Sequence, residues 1–207
     1  MTEKNIFFES KGENIEGLVY ESSGERAVVV THPHPLYGGD MYNNVVEALV
    51  KAYQEKGYTT LRFNFRGAGR SSGSYDEGVG EQEDVRAALN YLRGLGKTHY
   101  DLAGYSFGAW VNALGLNSFD QVKRMIMVSP PVNFIDFSFF EYCPKLQLVI
   151  AGSDDVIAPP DTIRELLPSW NSEASFEVIK GADHFYWGKS KDLKMIIQKF
   201  LDTNDTP

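Results

Sequence analysis

Cysteine is almost missing from this sequence: Cys143 stands alone, so no disulfide can form within the chain. Long apolar runs are missing too. None approaches the ~18 residues that a membrane-spanning helix needs. Cations are the minority charge, with 20 Lys and Arg against 28 Asp and Glu, a formal net charge of −8. A net-acidic surface repels phosphate backbones and no cluster of Lys and Arg offsets it, so nucleic acid is not an expected partner. The first residues lack the apolar core of a signal peptide, and the expectation is a soluble cytoplasmic protein with no membrane insertion. Histidine is scarce, limited to His32, His34, His99 and His184. No repeat, low-complexity run or long linker divides the 207 residues, which read as a single domain over 1–207. Composition is silent on chemistry and on oligomeric state.

What is present is an alternation of strand-like and helix-like patterns. Residues 6–8 and 15–20 read as two short strands joined by a turn at 11–14. Residues 27–31 form a compact β-branched run that ends at His32-Pro33, as a buried strand would. Over 43–56, Val45, Val46, Leu49, Ala52 and Tyr53 recur at helical spacing, with Gly57 at the position of a C-terminal cap. Residues 58–65 return to a strand pattern. A Gly/Ser-rich loop over 66–80 precedes a second helix marked by Val85, Ala88, Leu89 and Leu92. Further strands are expected over 100–103, 122–128, 146–151 and 175–179, with helices over 106–116, 161–167 and at the C-terminus. Strands separated by helices imply βαβ units: an α/β fold with a mostly parallel central sheet and helices on both faces.

The pentapeptide Gly104-Tyr105-Ser106-Phe107-Gly108 carries the first chemical signal. A bare G-x-S-x-G is common, but this one leaves an expected strand and opens an expected helix. A nucleophile there sits on a sharp, strained turn, and the flanking glycines clear space for it. The helix start also aims free N–H groups at the site, which favours a developing oxyanion. A serine hydroxyl needs a positioned base. His184 follows the last strand, at the sheet edge that carries Ser106, whereas His99 precedes its strand and belongs at the opposite edge. The base in turn needs a carboxylate on its other nitrogen. Asp154 and Asp155 both leave the strand between Ser106 and His184, and the residues alone leave the choice open. Asp136 is more distant. The order Ser, Asp, His is that of α/β-hydrolases.

Two weaker patterns stand beside these. His32 and His34, two residues apart, have no third or fourth ligand at a suitable spacing, so a rigid Pro-bracketed turn is preferred to a zinc site. Gly67-Ala68-Gly69 followed by Arg70-Ser71-Ser72-Gly73 has its third glycine misplaced for a dinucleotide fingerprint, and the next helix begins too late. Neither a metal nor an organic cofactor is expected.

Five ordered stretches together resemble the α/β-hydrolase superfamily over nearly the whole chain: 31–39, 64–71, 104–108, 152–159 and 181–185. The sequence is most similar to small, lidless bacterial hydrolases related to the dienelactone hydrolases. The resemblance implies an α/β-hydrolase fold with no cap domain. Its acid-loop pattern, G-x-x-D followed by an apolar residue and proline, selects Asp155. It also implies an oxyanion N–H from Phe107 and a second from the 31–39 segment. Pro33 and Pro35 have no N–H, so His34 is favoured, with Leu36 next. Dienelactone hydrolases use a cysteine nucleophile, so their lactone reaction does not transfer to Ser106. Cys143 reads as a buried structural thiol.

The segment after residue 128 is too short for a helical cap, which leaves an open site. Leu36, Tyr105, Phe134 and Phe185 are the expected substrate-binding residues. Phe137, Phe139, Phe140 and Tyr142, with Tyr186 and Trp187 after His184, read either as an aromatic rim on that open site or, for the most part, as core. The expected reaction is hydrolysis of a small-molecule ester of a small or medium acyl group, with Ser106, His184 and Asp155 as triad. An acyl-thioesterase or a small serine peptidase shares that machinery. A catalytically silent binding module is the alternative of another class.

Overall fold

The computed structural model of the chain describes residues 2–205. Its strands are β1 (Lys4–Ser10), β2 (Glu13–Tyr20), β3 (Arg26–Thr31), β4 (Thr59–Phe63), β5 (His99–Tyr105), β6 (Val122–Val128), β7 (Leu146–Gly152) and β8 (Ser175–Ile179). The helices are α1 (Asn44–Glu55), α2 (Val79–Gly94), α3 (Phe107–Gly115), α4 (Pro160–Asn171) and α5 (Ser190–Asn204). The strands form one sheet in the order β1-β2-β4-β3-β5-β6-β7-β8. β1, β2 and β4 pair antiparallel, and every pair from β4 to β8 is parallel. This is the expected α/β class.

The centre of the sheet is buried on both sides, which explains why its central strands read as unbroken apolar runs. In β3, Ala27 and Val29 face α2 and α3 with Leu89 and Val111, while Val28 and Val30 face α1 and α5 with Leu49 and Ile197. Neighbouring β5 does the same with Leu102 on the first side and Ala103 on the second.

Several element ends differ from the sequence reading by a few residues, helix α4 running to Asn171 rather than 167, and two of the differences have a clear local cause. The first turn is shorter than 11–14. β1 and β2 pair through Ser10 and Glu13, leaving only Lys11 and Gly12 as the loop, with φ of 51° and 89°. Positive φ at both positions gives the turn whose twist matches a hairpin. Helix α2 begins at Val79, inside the segment expected to be loop. The buried Glu81 carboxylate accepts the N–H groups of Asp76 at 2.9 Å and Gly78 at 2.8 Å, capping a first turn that has little apolar signal.

The link between β6 and β7 contains no helix, so no cap covers the sheet edge above it. Phe137 and Phe140 pack on Trp170, and the Cys143 N–H donates to the Trp170 carbonyl at 2.7 Å. Cys143 is buried there, as expected of a structural thiol.

At the opposite edge, near the strand starts, the Arg124 guanidinium donates to Asp101, to the Tyr58 hydroxyl and to Asp205. Arg26 reaches the same Asp205 at 2.7 Å. This cluster ties the end of α5 to β3, β5 and β6. Among the described residues, no helix is long and apolar enough to cross a membrane.

Candidate active site

β5 delivers Ser106 to the carboxyl edge of the sheet, and α3 starts at the next residue. Ser106 has φ 53° and ψ −120°, a left-handed conformation that costs a residue with a Cβ. Local packing compels it. The Ser106 N–H donates to Val128 O at 2.9 Å, which holds the turn against β6. A Cβ on Gly104 would lie 2.6 Å from the Ala109 backbone, and one on Gly108 2.6 Å from Thr31 Oγ1. Only glycine lets the strand, turn and helix approach this closely.

His184 lies on the link from β8 to α5, and its Nε2 is 3.0 Å from Ser106 Oγ. The link is gripped from several sides. Tyr105 donates its hydroxyl to the His184 carbonyl at 2.7 Å, and Asn44 Nδ2 donates to Phe185 O at 2.9 Å. Asp183 Oδ1 accepts the N–H groups of Phe185 and Tyr186, each at 3.0 Å.

Asp155, on the link from β7 to α4, faces His184 Nδ1 with Oδ2 at 2.9 Å and Oδ1 at 3.1 Å. Its Oδ1 also accepts the N–H groups of Ile157 at 2.9 Å and Ala158 at 2.8 Å, and its Oδ2 accepts the Ser129 hydroxyl at 2.7 Å. Burial pushes this carboxyl up, but His184, the Ala158 N–H and the Ser129 hydroxyl outweigh it and hold Asp155 below the ordinary carboxylate value. An ionised carboxylate at Nδ1 fixes the imidazole proton there and leaves Nε2 free to accept from Ser106. Asp154, by contrast, is exposed and accepts the Ser153 hydroxyl at 2.7 Å. Asp136 is also exposed and bonds Ser138. His99 is exposed at the start of β5, away from this edge.

The segment after β3 bends sharply beside the elbow. Gly39 N–H donates to His34 O at 3.0 Å, and a Cβ on Gly39 would lie 2.1 Å from Pro33 O. The His34 ring rests against Tyr37, Tyr75 and Phe107. Its Nδ1 accepts the Leu36 N–H at 3.3 Å, so that donor is engaged. Among the described residues no acceptor takes the N–H of His34. Phe107, as the first residue of α3, has no acceptor within its helix. Between the two donors expected from this segment, the free one is His34.

The histidine pair does not form a metal site. His32 Nε2 accepts the Phe65 N–H at 2.9 Å, which puts its proton on Nδ1 and toward Pro33 O at 2.6 Å. Complete burial lowers its pKa to about 4, so it is a neutral structural residue. Burial also lowers that of His34. Among the described residues no group of three His, Cys, Asp or Glu side chains is placed to hold a metal ion. The glycine-rich loop spends its polar groups internally. Arg66 pairs with Asp84 at 2.8 Å, Arg70 with Glu16 at 2.7 Å, and Ser71 Oγ with Asn64 O at 2.6 Å.

Leu36, Phe134 and Phe185 stand 67%, 72% and 52% exposed on three different links at this edge. Tyr105 is a correction. It is 2% exposed, its ring lies beneath His184, and its hydroxyl is spent on the His184 carbonyl, so it presents nothing to a substrate. Phe137 and Phe140 belong to the core, whereas Phe139 and Tyr142 are exposed. Tyr186, a rim candidate in the sequence, is fully buried, and its hydroxyl contact with Ser129 behind Asp155 has no counterpart in the sequence reading. Each stands next to or near a strand end or candidate residue, but a hydroxyl partnership across 57 positions leaves no mark in the sequence.

No protein-family model matches the chain. An uncharacterized protein of Rickettsia prowazekii is 36% identical over 96% of this chain and 88% of its own length. A solved α-β serine hydrolase homologue from Coxiella burnetii is 34% identical, covering 97% of this chain and 98% of that one, with a TM-score of 0.90. An α/β serine hydrolase without lid from Xanthomonas campestris is 29% identical over 99% and 97%, with a TM-score of 0.89.

Proposed function

The chain belongs to the α/β-hydrolase superfamily, and from that premise we propose that it is a serine hydrolase cleaving carboxylic esters of small or medium acyl groups. The observation that carries the reading is the buried line Ser106 Oγ–His184–Asp155, at 3.0 and 2.9 Å. Ser106 Oγ attacks the ester carbonyl carbon as its proton passes to His184 Nε2. The N–H groups of Phe107 and His34 receive the oxyanion. The tetrahedral intermediate collapses, and the leaving alkoxide takes the proton from His184. A water then gives its proton to His184 and attacks the acyl-enzyme, and Ser106 is released with its proton restored. Asp155 stays ionised throughout and steadies the imidazolium. Exposed Leu36, Phe134 and Phe185 offer apolar surface to the acyl or alcohol group, and the helix-free link between β6 and β7 leaves the entrance open.

The test is a panel of p-nitrophenyl esters of increasing acyl length, with acyl thioesters and aminoacyl amides alongside and Ser106→Ala as the blank. Hydrolysis is expected on short and medium esters, abolished in Ser106→Ala, together with labelling of Ser106 by a fluorophosphonate. A wild-type protein that neither labels nor exceeds the blank on any compound overturns the reading. Preference for thioesters or amides reassigns the substrate and keeps the triad.

A further inference from the structure

Behind Asp155 the hydrogen bonds continue. Asp155 Oδ2 accepts from Ser129 Oγ at 2.7 Å, and Ser129 Oγ is 2.7 Å from the Tyr186 hydroxyl. Serine has one hydroxyl proton, and an ionised carboxylate can only accept, so that proton goes to Asp155. Tyr186 is then the donor to Ser129. The file runs from the Tyr186 hydroxyl through Ser129, Asp155 and His184 to Ser106, and every member is buried.

The backbone marks the same residues. Among the described residues, five that are not glycine have positive φ: Lys11, Glu77, Ser106, Ser129 and Tyr186. Lys11 sits in the β1–β2 hairpin turn and Glu77 just before α2. The other three, at 53°, 45° and 55°, are members of this one file. A left-handed conformation is a genuine outlier for a bulky aromatic, and it is held in place here because the side chain is fully buried and its hydroxyl is engaged. Tyr186 also meets the Tyr105 ring edge-on, and Tyr105 holds the His184 carbonyl.

We propose that Ser129 and Tyr186 are positioning residues that set the proton affinity of the Asp155–His184 pair, an inference that rests on the triad reading above. The Ser129 hydroxyl fixes the plane of the carboxylate so that Oδ2 meets Nδ1, and it shares the carboxylate charge. With that charge partly neutralised, the carboxylate stabilises the imidazolium less than a bare carboxylate would, so losing the hydroxyl favours the imidazolium. Tyr186 orients the Ser129 proton toward Asp155. The titratable groups packed against His184 are Asp155 from the β7–α4 link and Tyr105 from β5, with Asp183 and Tyr186 its neighbours along its own link. Burial drives both tyrosine hydroxyls well above the ordinary phenol value, so both remain donors through the neutral range.

The experiment uses Ser129→Gly, which removes the hydroxyl at a backbone position that glycine adopts freely, and Tyr186→Phe, which removes one oxygen and keeps the ring. Two readouts are followed against pH: the rate at which a fluorophosphonate labels Ser106, and the imidazole titration of His184 by NMR. In Ser129→Gly the acid limb of labelling and the His184 titration are expected to move up by about half a pH unit or more. The plateau rate is expected to fall about ten-fold. Tyr186→Phe moves both in the same direction by less. A titration and limb at the wild-type position in both variants overturn the proposal, even if rate or thermal midpoint falls, because packing alone then explains the residues. If wild-type Ser106 does not label, the hydrolase reading fails. The NMR titration needs no turnover and still decides whether the hydroxyls tune His184.

Discussion

Asp154 and Asp155 are adjacent in sequence and opposite in surroundings. Asp155 is buried under four donors, His184 among them, while Asp154 faces solvent and a serine hydroxyl. On the proposed triad, Asp155→Asn is therefore expected to lower the hydrolytic kcat by about four orders of magnitude. Asp154→Asn should stay within a few-fold, and equal losses would reverse the assignment. The sequence left this pair open on chemistry alone, and only the resemblance selected Asp155. It mistook Tyr105 for a substrate contact because a residue beside a nucleophile can point either way, and the direction follows from packing. His32 offers a test at the same scale. Its folded pKa, about 4, lies below the ordinary imidazole value of 6.5, so the unfolded chain binds more protons between those limits. The stability it contributes is complete above pH ~6.5 and is lost as pH falls toward 4, about 3 kcal/mol in all. Thermal midpoints measured from pH 7 to 4 should fall steadily, and more shallowly in His32→Asn. Parallel curves would remove His32 as a cause.

The elements that sequence periodicity captured best are those whose faces are set by burial alone. Helix α1 repeats its apolar residues at helical spacing, and β3 is valine throughout its centre because both faces are covered. Periodicity fails where a polar group does the work, as with Glu81, whose carboxylate starts α2 without an apolar signal. The turn after β3 shows what tight geometry costs. Gly39 lies against the Pro33 carbonyl, at a distance no Cβ can occupy. Gly39→Ala is expected to displace His34 and reduce kcat about a hundred-fold, the usual loss for one oxyanion donor, with KM little changed. An unchanged kcat in a folded Gly39→Ala protein would show that the His34 N–H does not serve the oxyanion.

Across the molecule the two edges of the sheet are specialised differently. The carboxyl edge carries Ser106, His184 and Asp155, and the amino edge carries the Arg124 cluster. The alternation of strands and helices made the overall architecture readable. The cluster was not readable, because Arg26, Tyr58, Asp101, Arg124 and Asp205 meet only after folding. Removing Arg124 strands a buried Asp101, so Arg124→Ala is expected to lower the thermal midpoint by roughly 10 °C while kcat/KM holds. A matching loss of activity in the folded variant would contradict the division between edges. The distance along the chain between Ser106 and His184, 78 residues, bears on the order of folding. Their encounter requires β6, β7 and the edge strand β8 to be paired in the sheet, and contacts this distant in the chain are slow to form. During refolding from denaturant, helical signal should return before Ser106 regains its reactivity toward a fluorophosphonate. That reactivity thereby serves as a clock for the docking of β8.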